Sequence, residues 1–113
     1  MATTARPNLL LEGPAHITSA IVRALAPHLK TPIALFDAQP RFDRPATLIL
    51  DDATRLTVLA QQRLLEWLDD RGERMQVIAT APRPLFAAVE RGAFLPALYY
   101  RLNVLRLRCG PTP

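Results

Sequence analysis

The chain has a single cysteine, Cys109, so it can form no internal disulfide, and a lone thiol suits a reducing compartment; a cytoplasmic location is the expectation. Two histidines and that cysteine, widely spaced, are poor material for a metal cluster, a Ser/His/Asp triad or a Cys/His pair. No apolar run approaches the ~20 residues a membrane span needs, and the first residues lack the charged and apolar regions of a signal peptide. Neither a membrane partner nor export is expected. Lysine is almost missing: Lys30 stands against thirteen arginines.

Half of the 113 residues are hydrophobic, so the chain is expected to fold, as one domain over residues 1–113 with a modest core. The net charge of +4 is uneven. Residues 46–70 carry five acids against Arg55 and Arg63, whereas residues 71–113 carry seven arginines against Glu73 and Glu90. A basic half can bind phosphate or nucleic acid. Here the arginines are dispersed, with no recognition helix and no basic patch interleaved with aromatics, so nucleic acid is not the expected partner.

The stretch that organises the rest is Ala46-Thr47-Leu48-Ile49-Leu50-Asp51-Asp52. Its continuous apolar run reads as a buried parallel strand, and it ends in two carboxylates where open α/β sheets place their ligands. Paired acids at that point can hold magnesium and activate water in nucleotide hydrolysis. They can equally cap the helix that follows. Leu56, Ala60, Leu64, Trp67 and Leu68 then repeat at helical spacing, predicting a helix from about Thr54 to Asp70.

Further strands are predicted at Leu9–Glu12, Ile33–Asp37, Met75–Ala79 and Asn103–Leu107. Helices are predicted after Gly13-Pro14 up to Pro27, over Pro84–Arg91 with Gly92 as its stop, and over Leu95–Arg101 with Pro96 at its first position. A tight turn is expected at Asp70–Glu73. The fold class this implies is α/β: a three-layer sandwich of about five mainly parallel strands with helices on both faces. The expected core includes Leu10, Ile21, Leu35, Ile49, Leu64, Trp67, Ile78 and Tyr99, whereas Gln61 and Gln62 are read as solvated.

The order and spacing of these segments resemble a known family. Asp51-Asp52, then Gln61-Gln62-Arg63-Leu64-Leu65-Glu66-Trp67-Leu68, then Val77-Ile78-Ala79-Thr80-Ala81, then Gly92 and Phe94, then Leu98-Tyr99-Tyr100-Arg101-Leu102-Asn103-Val104 match the AAA+ domain of bacterial enhancer-binding proteins, the ATPases that activate RNA polymerase carrying sigma-54. That family shows a Walker B strand ending Asp-Glu, Gln-x-x-Leu-Leu-x-x-Leu, a strand ending Ile-Ala-Ala-Thr-Asn, and Leu-Tyr-Tyr-Arg-Leu-Asn-Val. The resemblance covers about Thr47 to Leu107 and implies a reduced P-loop NTPase fold without the helical lid.

The resemblance also marks what has changed. A phosphate loop needs Gly-x-x-x-x-Gly-Lys-Ser/Thr. Counting from Gly13, this chain offers Thr18, Ser19 and Ala20 at the last three places. The family's sensor Asn falls on Pro82. Of its two arginine fingers, the first falls on Leu95 and the second is kept as Arg101. Residues 38–45 are too few for the helix and the Gly-Ala-Phe-Thr-Gly-Ala loop that grips sigma-54, so direct sigma-54 contact is not expected. Lys30 lies too far along the chain to replace the missing lysine.

The resemblance therefore implies a non-hydrolysing, AAA+-like regulatory or protein-interaction domain linked to transcription or signalling, with a protein partner or self-association. No catalytic residue and no cofactor are expected. Asp51 and Asp52 would be a vestigial Walker B pair, Arg101 a vestigial finger, and Gly13, Thr18 and Ser19 a vestigial phosphate loop. The alternative is a weak ATPase of a transcription or signalling regulator, with ATP and magnesium as cofactor and Asp51 as the metal ligand. A response-regulator-like receiver also wants paired acids on a five-stranded sheet, but it needs a later strand-end lysine that this chain lacks.

Overall fold

A computed structural model of the chain describes residues 6–36, 45–71 and 75–110. In chain order the elements are β1 (Leu9–Glu12), α1 (Ala15–Leu25), β2 (Ile33–Leu35), β3 (Thr47–Leu50), α2 (Val58–Arg71), β4 (Gln76–Ala81), α3 (Phe86–Glu90), α4 (Pro96–Leu102) and β5 (Leu105–Arg108). The strands form one sheet in the order β2-β3-β4-β1-β5, and every pairing is parallel.

This order fixes the layers. From β1 the chain steps to the far edge at β2, then works back through β3 and β4 to β5. Right-handed crossovers place the outward and returning connections on opposite faces. Accordingly α1 covers one face, chiefly over β4, while α2, α3 and α4 share the other. The three-layer α/β sandwich read from the sequence is the architecture found.

The period of two along each strand assigns the side chains. Leu10, Leu48, Leu50, Val77, Ala79 and Ala81 point toward the returning helices and pack on Leu64, Leu68, Leu85, Leu98, Tyr99 and Leu102. Leu11 and Ile78 belong to the opposite face, and both are buried. Leu35 departs from the expectation. It lies on the α1 side of the edge strand β2, beyond the cover of that helix, and is 65% exposed rather than core. Ile21, Ile49 and Trp67 are half-buried.

Helix starts and stops follow local chemistry. The long acidic-strand helix begins later than Thr54: a separate turn of 3-10 helix occupies Ala53–Arg55. Then Thr57 caps α2, its Oγ1 accepting the Ala60 N–H at 3.1 Å. Gly92, at φ +77°, ends α3 as the left-handed residue after its cap, and Pro96 opens α4. Three strands differ at their ends from the sequence expectation: β3 stops at Leu50 where Thr47–Asp51 is expected, β4 covers Gln76–Ala81 instead of Met75–Ala79, and β5 covers Leu105–Arg108 instead of Asn103–Leu107. The end of the second strand at Asp37 and most of the 38–45 loop lie outside the described residues. Of the turn expected at Asp70–Glu73, Asp70 and Arg71 instead belong to α2, and the remainder lies outside the described residues.

Trp67 packs against the core from α2 but keeps part of its indole in water. Trp67→Ala is therefore expected to cost about 2 kcal/mol, below the 3–5 kcal/mol of a fully enclosed aromatic. Urea denaturation checks this; an unchanged midpoint would mean that the indole contributes nothing to the core.

Candidate functional site

In a parallel sheet the carboxyl ends of the strands converge on one rim, where ligands bind in open α/β folds. Here the rim gathers Glu12 at the end of β1, Asp51 and Asp52 after β3, Ala81 at the end of β4 and the start of α1. The turn after β3 is built by its own acids. Asp52 adopts the left-handed conformation at φ 55°, which Asp tolerates better than most residues. Its Oδ1 accepts the Thr54 N–H at 3.1 Å and also the Thr54 hydroxyl, capping the 3-10 turn. One carboxylate of the pair is thus occupied by its own backbone.

Thr80 of β4 ties this turn to the sheet. Its hydroxyl accepts the Asp52 N–H at 2.8 Å and donates toward Asp51 Oδ1 at 3.3 Å. Asp51 itself is exposed. The sequence reading passed over Thr80, although a hydroxyl residue near the end of the neighbouring strand is placed to meet an acidic turn.

At the start of α1 the loop is short and closed. The Gly13 N–H donates to Ala81 O at 2.9 Å. A Cβ added at Gly13 would lie 2.1 Å from the Cys109 carbonyl oxygen, so only glycine fits beneath that strand end. Gly110 crosses close by, where an added Cβ would meet Ile17 and Pro14 at 3.2 Å. Pro14 caps α1 without a side-chain hydrogen bond. Thr18 is buried, and its hydroxyl donates back to Ala15 O at 3.3 Å instead of facing the rim. Ser19 and Ala20 are exposed on the helix, as is His16 in its first turn.

Glu12 is the buried acid of this rim, and sequence reasoning missed it. Its Oε2 accepts the Leu85 N–H at 2.7 Å, and its Oε1 pairs with Arg106 Nε at 2.6 Å. The hydrogen bond from Arg106 to Glu12, reinforced by the carboxylate's charge, raises the guanidinium pKa above its already high value. The Glu12 carbonyl also accepts the Cys109 N–H at 2.7 Å. Burial pushes the Cys109 thiol up, which favours its neutral form. The available signal was an acid at the end of an apolar strand, immediately before Gly13.

Gln61 corrects a second expectation. It is fully buried, not solvated: Nε2 donates to Leu56 O at 3.1 Å and Ala93 O at 3.0 Å, while Oε1 accepts the Leu95 N–H at 2.8 Å. Gln62 is exposed. Farther along α4, Arg101 forms an ion pair with Asp69 of α2, both at the surface. Tyr99 is buried and Tyr100 is 64% exposed. Pro82 is exposed after β4, and Leu95 is half-buried. The structure thus gathers Gly13, Asp51 and Asp52 on one rim, turns Thr18 away from it, and holds Arg101 in a contact with α2.

These features define a doubly wound α/β domain with a parallel sheet in the order β2-β3-β4-β1-β5. A family model, the Sigma-54 interaction domain, matches residues 10–111. The chain belongs to that family. Among curated relatives, the pathogenicity locus probable regulatory protein HrpR of Pseudomonas syringae pv. syringae is 41% identical over 73 residues, covering 55% of this chain and 23% of HrpR. The transcriptional regulatory protein FlbD of Caulobacter vibrioides is 36% identical over 76 residues, covering 58% of this chain and 17% of FlbD. The chain therefore spans under a quarter of the length of these two relatives. Among solved structures, NtrX from Brucella abortus in complex with ADP superposes with a TM-score of 0.71 at 17% identity, over 90% of this chain and 31% of NtrX. That likeness bears on the fold alone. Among the described residues, no helix is long and apolar enough to cross a membrane.

Proposed function

We propose that this chain is a non-hydrolysing member of its family, acting by protein contact within the regulation of transcription. The observation that carries this reading is the state of the phosphate loop. Backbone amides, a lysine and a hydroxyl must converge on the phosphates of a nucleotide. Here Ser19 and Ala20 supply neither the charge nor the magnesium ligand, the Gly13 N–H is taken by Ala81, and the Cys109 carbonyl is packed over Gly13. The residues present do not fit a magnesium–nucleotide complex.

The other rim groups support the same reading. Asp52 is committed to Thr54, which leaves Asp51 as an exposed acid with no neighbouring lysine to offset a triphosphate. Phosphoryl transfer is catalysed chiefly by positioning and charge stabilisation, so it fails when the positioning groups are gone. Arg101 has a local role on Asp69, which an arginine finger reaching another subunit would have to give up.

The alternative, a weak ATPase, draws on the retained Asp51-Asp52 pair and on the fold likeness to NtrX, which was solved with ADP. A phosphate-release assay with Mg-ATP tests the choice. We expect turnover indistinguishable from a buffer blank, and the same for Asp51→Ala. Measurable release that Asp51→Ala abolishes would make the weak ATPase the better reading.

A further inference from the structure

We propose that the free edge of β5 docks an extended segment of a protein partner in which acidic and apolar residues alternate, adding it to the sheet as a sixth strand. The inference rests on the interaction-domain reading and names the surface and the partner chemistry that reading would use.

β5 ends the sheet and pairs only with β1 among the described residues. The Leu105 N–H donates to Asn8 O at 3.0 Å, and the Cys109 N–H to Glu12 O at 2.7 Å. In a parallel ladder, alternate residues direct both backbone groups to the same neighbour. Leu105, Leu107 and Cys109 therefore face β1, whereas Arg106 and Arg108 turn their N–H and C=O groups outward. Natural edges are blunted by shortness, charge, proline, a bulge or a covering segment, and the charges of β5, Arg106 and Arg108, oppose a basic or identical strand but not an acidic one. The residues of β5 include no proline, and all four are exposed.

The side chains give this edge a chemistry. Leu105 and Leu107, 50% and 51% exposed, lie on one face, and Val104 just before them is 58% exposed. Arg106 and Arg108 lie on the other face. Glu12 partners Arg106, but Arg108 has no ion pair among the described residues. A second copy is a poor occupant, because edge-to-edge pairing would bring the arginines of both copies together, and like charges on facing strands repel. A strand alternating acids with apolar residues sets its acids beside Arg106 and Arg108 and its apolar residues beside Leu105 and Leu107. Strand addition of this kind takes its affinity from the backbone and its specificity from alternate side chains.

The test uses the full chain, isotopically labelled, with a peptide of alternating glutamate and valine about ten residues long. Saturable binding is expected, with exchange of the Arg106 and Arg108 amides slowed at least about tenfold and the Leu105 and Leu107 amides unchanged, since β1 already protects those. Arg108→Pro removes an outward donor without touching the β1 ladder, and Arg108→Glu reverses the charge. Each should weaken binding at least about tenfold. Dispersed amide spectra would show that the variants fold, and Arg108→Glu keeps the test open if the proline variant does not.

Equal binding of an alternating lysine–valine peptide would overturn the proposal. So would a single-stranded oligonucleotide protecting the same amides, a dimer that protects them without peptide, or no protection at saturating peptide. None of these outcomes bears on the phosphate loop, so the non-hydrolysing reading is tested separately by the Mg-ATP assays.

Discussion

Replacing Glu12 with alanine is expected to lower stability by about 2–3 kcal/mol, the larger part coming from one stranded backbone group. The Glu12 side chain is almost wholly enclosed, and it accepts the Leu85 N–H and the Arg106 Nε–H. Without the carboxylate, the Leu85 N–H stays buried with no acceptor, at a cost of about 1–3 kcal/mol. Arg106 is 36% exposed and can regain water, so its loss is smaller than for a fully buried pair. For a domain of this size the sum corresponds to a fall of roughly 10 °C in Tm. Glu12→Gln separates the two contributions, because an amide oxygen can still accept from Leu85 while the ion pair is lost; less than half of the alanine effect is expected. Equal losses for both variants would put the charge, not the Leu85 contact, in command.

Gln61→Ala is expected to be at least as damaging, at about 2–4 kcal/mol. The buried amide joins α2 to the segment before α4 by three hydrogen bonds, to Leu56 O, Ala93 O and from the Leu95 N–H. Gln61→Glu offers a sharper measurement. It keeps the acceptor for Leu95 but turns a carboxylate toward two carbonyl oxygens in a buried site. Burial and those carbonyls disfavour the ionised form, so the folded-state pKa of the introduced acid rises above its unfolded value of about 4.3. A raised acid pKa means that the folded state holds the proton more tightly. The penalty is then full above the folded pKa and is relieved as pH falls through it. Relative to the parent chain, the variant should therefore recover stability between pH 7 and pH 5. Urea midpoints that stay equally displaced at both pH values would contradict this placement of the side chain.

Much of the fold was legible because the strands carry redundant signals. The apolar runs of β1 and β3, the helical spacing of Leu64, Trp67 and Leu68, Gly92 after α3 and Pro96 at the start of α4 each mark an element by local chemistry that the tertiary structure keeps. What escaped was decided by position in the sheet. Leu35 is as apolar as Leu48, but it sits on an edge strand beyond α1 and so remains in water. Glu12 and Gln61 were opaque for the opposite reason. A polar residue is buried only where partners from distant segments converge, and the partners here are Arg106, 94 residues away, and Ala93, 32 residues away. The helical face did hold one clue, since Gln61 stands three residues before Leu64 and seven before Leu68, on the same buried stripe. Of the rim, the acids after β3 and the loss of the phosphate-loop lysine were plain in the sequence, but the Thr80 clamp and the Cys109 carbonyl over Gly13 required the sheet to bring distant residues together.

The measurement that tests the central claim most directly is calorimetric titration of the chain with Mg-ATP, with Asp51→Ala as its control. Thr18, Ser19 and Ala20 stand where a phosphate loop requires glycine, lysine and a hydroxyl residue in that order, the Gly13 loop is packed under Cys109, and Asp52 is occupied by Thr54. Two carboxylates without a compensating cation repel a triphosphate. The account predicts binding no tighter than millimolar, about −4 kcal/mol, and the same weak response in the control. Micromolar binding that Asp51→Ala abolishes would contradict it.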